Sequence, residues 1–191
     1  MAEASYPFEN VDVTESQFSF WARNFQETGI QGAPTGTELE VSAEGSTLSI
    51  NVAVGQAFIR GHYYTNSTIK NIAVPTAGIN TRIDLVVLEL DPTLNKIEAK
   101  LILGEAVSSS PVAPELVQTN TGIYQLHLAT LTIPNSTLAI TNEMLVDWRT
   151  FMSHRIGVWT TDTRPNAPVA NQTFGFNFTF MAHEFWNGTE S

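Results

Sequence analysis

At 191 residues, 42% hydrophobic and 15% charged, the chain has the composition of a folded protein rather than a disordered one, and at this length it buries roughly 70% of its unfolded surface. A net charge of −10 repels phosphate backbones and anionic bilayers, so neither a nucleic-acid partner nor membrane insertion is expected. The lack of cysteine removes disulfides, thiol nucleophiles and thiolate zinc sites. The opening residues lack the basic and apolar regions of a secretory signal, and no apolar run reaches the roughly 18 residues of a membrane span, so synthesis in the cytoplasm is expected.

Residues 1–13 read as an acidic arm. Thr14 followed three positions later by Gln17 is a capping-box pattern, and Phe18, Trp21, Ala22 and Phe25 recur at helical spacing. They predict one helix of about four turns that stops at Gly29. Its solvent face is expected to carry Ser16, Arg23, Asn24 and Glu27. The aromatic stripe Phe18, Trp21 and Phe25 then either enters the core or docks on a carrier.

From Leu39 the apolar period becomes two. Leu48, Ile50 and Val52 alternate with polar residues, and residues 55–64 read as strand, glycine kink, strand, with Gly61 permitting a bulge or a close backbone approach. A short strand follows around Ile72. Residues 82–103 predict a hairpin whose first strand is apolar on both faces and therefore central. Asp91 and Pro92 open the turn, and the return strand sets Ile97, Ala99, Leu101 and Leu103 against Lys96, Glu98 and Lys100. Residues 123–133 predict another strand with Leu126 and Leu128 inward. Short strands at regular spacing, without β-α alternation, indicate a mainly β fold: an antiparallel β-sandwich or barrel with one N-terminal helix.

A boundary falls near residue 155, and the proline-rich stretch 163–168 reads as a stiff linker. Beyond it Phe174, Phe176, Phe178 and Phe180 alternate, predicting one strand with four rings on one face, and Phe185-Trp186 begins a second strand. Two strands alone are marginal in water, so this stripe is expected to pack on the main domain or on another chain. The chain thus divides into an arm and docking helix (1–30), a β-sandwich-like domain (31–155) and a small β-hairpin module (156–191).

Chemistry-bearing constellations are sparse. His62, His127, His154 and His183 lack metal-ligand spacing, and no nucleophile elbow or phosphate loop occurs. Asp84 and Glu89 lie among core-like neighbours, and Glu98 sits between lysines on a solvated face. No catalytic set, metal or cofactor is therefore expected. Asn66, Asn135, Asn171, Asn177 and Asn187 head Asn-x-Ser/Thr triplets, read as chance in an asparagine-rich turn protein. Trp159, Trp186, Tyr63 and Tyr64 are candidate glycan contacts, with burial in a core or interface as the alternative.

Several segments in order carry a resemblance. They are Pro7-Phe8-Glu9-Asn10 and the run Ser16-Gln17-Phe18-Ser19-Phe20-Trp21-Ala22-Arg23, then residues 52–64 and 82–91, then Tyr124-Gln125-Leu126-His127 and Val146-Asp147-Trp148-Arg149. This order resembles the virion-attached N-terminal domains of minor tail, baseplate and tail-fibre proteins of tailed bacteriophages. Thr163-Arg164-Pro165, Gly175-Phe176-Asn177 and Glu184-Phe185-Trp186-Asn187-Gly188 are similar to a short β-module that recurs in phage fibres. The resemblance implies a virion protein, commonly a homotrimer, that binds other tail or baseplate proteins. Phe174, Phe176, Phe178 and Phe180 would then be buried between protomers. No fibre domain follows Ser191, so an adaptor or short appendage is expected. A host-surface polysaccharide-binding module is the alternative, and a glycan-degrading enzyme a more distant one.

Overall fold

The computed structural model describes residues 5–6, 12–107, 109–152, 157–164 and 174–186, with the backbone alone at 157–159. Thr14 caps α1 (Glu15–Ala22) through a complete capping box. Its hydroxyl accepts from the Gln17 N–H at 3.2 Å, and its own N–H donates to Gln17 Oε1 at 2.9 Å. The helix has two turns, not the expected four, and Phe25 lies beyond it. The Asn24 carboxamide donates to the Phe20 and Trp21 carbonyls at 3.1 and 3.4 Å, satisfying acceptors that a further turn would have used.

The strands that follow form three antiparallel sheets around one core. β1 (Gly29–Gln31), β4 (Gly55–Ile59) and β5 (His62–Asn66) pair in the order β1-β4-β5; β2 (Val41–Ala43), β3 (Ser49–Val52) and β6 (Lys70–Ala73) pair as β2-β3-β6. The largest sheet is β10-β9-β7-β8, built from β7 (Arg82–Asp91), β8 (Lys96–Ile102), β9 (Tyr124–Ile133) and β10 (Leu145–Asp147). Ile30 and Ile59 from the first sheet, Ile50 and Val52 from the second, and Val86, Leu88, Leu128 and Leu131 from the third are fully buried in one cluster. The result is a mainly β, sandwich-like body, in agreement with the period-two reading.

Local chemistry explains the register. Between β7 and β8 the Asp91 carboxylate accepts from the N–H groups of Thr93 (2.9 Å) and Leu94 (3.2 Å), and Asn95 takes φ 48°, so the turn closes as its composition suggested. β7 pairs on both sides and is central as expected. Its pairing with β9 shifts from Val86↔Ala129 to Val87↔His127, leaving Leu128 as a bulge. The extra residue lets Leu126 and Leu128, before the shift, and Ala129, Leu131 and Ile133, after it, all reach the interior.

β7 also carries the interior charge. Arg82 donates to both oxygens of fully buried Asp84, from Nε at 2.7 Å and Nη2 at 2.9 Å, and to the carbonyls of Thr76 (3.0 Å) and Pro75 (2.7 Å). The Gly104 N–H completes Asp84 Oδ1 at 2.9 Å. Glu89 is likewise held by Lys100 (2.7 Å) and Gln125 (2.8 Å). Both carboxylates are saturated structural groups, which is how buried charge is tolerated.

The C-terminal elements are β11 (Gly157–Trp159), β12 (Phe174–Asn177) and β13 (Ala182–Phe185). β12 and β13 form the expected hairpin, and β11 adds a strand parallel to β12. The single four-phenylalanine strand does not form. The Asn177 side chain ends it: Oδ1 accepts from the Thr179 N–H at 2.8 Å, while Nδ2 donates to Glu184 at 3.0 Å and Thr161 at 3.3 Å. The chain then turns, with Met181 at φ 53°. Phe174 and Phe176 stay half-buried on β12, whereas Phe178 and Phe180 are exposed in the turn.

Candidate functional site

Helix α1 is fastened to the body at one point and shows its aromatic side to solvent. β4 and β5 are joined by the two-residue turn Arg60-Gly61, with φ 50° and 86°, the left-handed backbone that tight hairpins require. The outward Arg60 carbonyl accepts from Ser19 Oγ at 2.6 Å and from Arg23 Nε at 3.0 Å. Gly61 lies so close to the helix that a Cβ there would stand 2.2 Å from the Ser19 carbonyl oxygen. Close approach is therefore what this glycine provides. Ser19 and Ala22 are buried against the hairpin.

That anchorage inverts part of the expected amphipathic pattern. Arg23, expected on the solvent face, is half-buried in the hairpin contact, while the rings point outward. Phe18, Trp21 and Phe25 are 57%, 46% and 50% exposed, and Phe20 beside them is also exposed. Phe18 and Trp21 lie 5.9 Å apart between ring centroids, and Trp21 and Phe25 4.7 Å, so the three rings form one continuous ladder. Of the two readings of this stripe, burial in the core is excluded.

The two candidate tyrosines do not converge. Tyr63 is exposed, but its neighbour Tyr64 points to the opposite face of β5 and packs against the core, as alternation along a strand demands. The pair is not a joint platform. Trp186 is half-buried beside β13, and the Trp159 side chain lies outside the described residues, as does His154. Trp148, read in the sequence only as part of the run Val146-Asp147-Trp148-Arg149, is exposed and stacked on His127 at 5.7 Å and 8°. Nothing in the spacing signals that stack, because β9 and the residue after β10 meet only through sheet pairing. Burial holds the His127 imidazole below its ordinary pKa, opposed by a backbone hydrogen bond at Ala129.

Tyr63 instead borders an open cleft of about 790 Å³ on the outer face of β1-β4-β5. Strand register builds its floor. Gln31 on β1, Gln56 on β4 and Thr65 on β5 stand abreast, and Phe58 pairs with Tyr63 in the next outward-facing row. At one end lies Glu38, whose Oε2 is buried and has no hydrogen-bond partner among the described residues. Gly32 and Gly36 leave room for that carboxylate, since a Cβ at either would stand 2.8 or 2.0 Å from Oε2. The loop is pinned by Arg149, which donates to the Gly36 and Glu38 carbonyls at 3.1 and 2.8 Å while paired with Asp147.

Among the described residues no group of three or more His, Asp or Glu side chains could hold a metal ion, and no helix is long and apolar enough to cross a membrane. No protein-family model, curated protein or solved structure matches the chain.

Proposed function

We propose that this chain is an architectural protein of a tailed-phage particle: a homotrimeric adaptor or short appendage of the tail or baseplate, near the end that meets the host. It is made in the host cytoplasm, carried in the virion, and works by adhesion rather than catalysis. The observation that carries this reading is the outward ladder Phe18–Trp21–Phe25 on and just beyond a short helix locked to the β body. A contiguous apolar patch of this kind marks an interaction surface, and phenylalanine and tryptophan rings each contribute roughly 1.5–3 kcal/mol when fully covered. Carrier docking through α1 uses that surface. The turn that displays Phe178 and Phe180 supplies a second exposed aromatic surface, for contact between copies. Saturation of Asp84 and Glu89 by their ion pairs supports a non-catalytic role.

Gold-labelled antibody against the β body is expected to decorate tails or baseplates of particles assembled with the full chain. Particles assembled with a chain lacking residues 1–28 should be unlabelled, although the shortened protein remains soluble and β-rich. Undiminished labelling after the deletion would refute docking through the helix.

A further inference from the structure

We propose that the cleft over β1-β4-β5 is a binding site for a neutral, hydroxyl-rich oligosaccharide, held by the carboxamides of Gln31 and Gln56, the Thr65 hydroxyl and the Tyr63 ring. The inner face of this sheet buries Ile30, Ala57 and Ile59. The outer face carries a row of two carboxamides and a hydroxyl in direct register across all three strands, Gln31↔Gln56↔Thr65. Each carboxamide both donates and accepts. A row of them therefore matches a ligand whose own groups also do both, as sugar hydroxyls do. Exposed Tyr63, registered with Phe58, sets a flat apolar ring beside that row, where it can lie against the C–H face of a sugar.

Charge narrows the class further. None of the described lining residues is cationic, and the chain carries a net charge of −10. Against the described lining residues, a phosphate, sulfate or sialic acid group would meet one carboxylate and no cation. The cleft volume of about 790 Å³ falls within the ~300–1,000 Å³ common for small-ligand sites.

Phe18 and Trp21 do not line this cleft, and the proposal does not depend on the virion reading. The test is saturation-transfer NMR and calorimetry on the full chain. The probes are short neutral glucose and N-acetylglucosamine oligomers, with sialylated and free-amine oligomers as charged comparators. Neutral oligomers are expected to bind, with saturation transfer centred on aromatic protons. Tyr63→Ala and Gln56→Ala should each weaken binding by roughly tenfold or more, with unchanged circular dichroism. The F18S/W21S variant should bind as the parent does. Four results would overturn the proposal: no neutral oligomer binding, a preference for either charged comparator, undiminished binding by the two cleft variants, or loss of binding in F18S/W21S.

Discussion

At the scale of single residues, identity is set by what each side chain must satisfy. Asp84 sits on a strand of core-like neighbours, and its complete bonding by Arg82 and Gly104 makes it a structural anion. Removing one member of such a buried pair costs about 3–5 kcal/mol because the other is left charged and alone. His127 offers a measurable consequence of burial. Its folded-state pKa is depressed, so the unfolded chain binds the proton more readily. The stability it contributes is complete above the ordinary histidine value of ~6.5 and is lost as pH falls through the lower folded value. The imidazole NMR titration is expected to have its midpoint below that ordinary value. Trp148→Ala, which uncovers the ring, should move it upward. An unmoved midpoint would show that the stacked indole plays no part in the desolvation. Asp84 as a core-strand residue was legible in sequence; the His127–Trp148 stack was not, because it joins residues that only β9–β10 pairing brings together.

At the scale of elements, the helix and the β4–β5 hairpin are one device. The capping box at Thr14 and Gln17 is local and could be read directly. The side of α1 that faces inward could not. Its apolar spacing left aromatic burial and docking both open, and two hydrogen bonds decide: the Arg60 carbonyl draws Ser19 and Arg23 inward, while Gly61 admits the helix backbone. Gly61→Ala would require a left-handed backbone costing about 1–2 kcal/mol and would drive a Cβ into the Ser19 backbone. Amide exchange over residues 15–25 is expected to accelerate strongly in this variant, while β7 stays protected. Equal protection of α1 in both proteins would mean that the helix is held elsewhere. The phenylalanine stripe shows the same limit. Period two held through Phe176, and the Asn177 side chain then closed a turn.

At the scale of the whole molecule, the proposed assembly must cover what one chain leaves exposed. Phe178 and Phe180 project from the β12–β13 turn, so a trimer using them should sediment as three chains. F178S/F180S should then sediment as one, without loss of β structure. A parent chain that stays monomeric at high concentration would remove the threefold proposal. Composition and apolar period by themselves determined the mainly β class and the central position of β7, because these follow from the frequency and local spacing of side chains. Only the tertiary structure decided which way the aromatic helix faces and that Gln31, Gln56 and Thr65 stand in one row. It also decided that Glu38 keeps a buried oxygen with no hydrogen-bond partner among the described residues. Each of these depends on contacts between residues far apart in the chain, where strand register and backbone hydrogen bonds override the preference of any one segment.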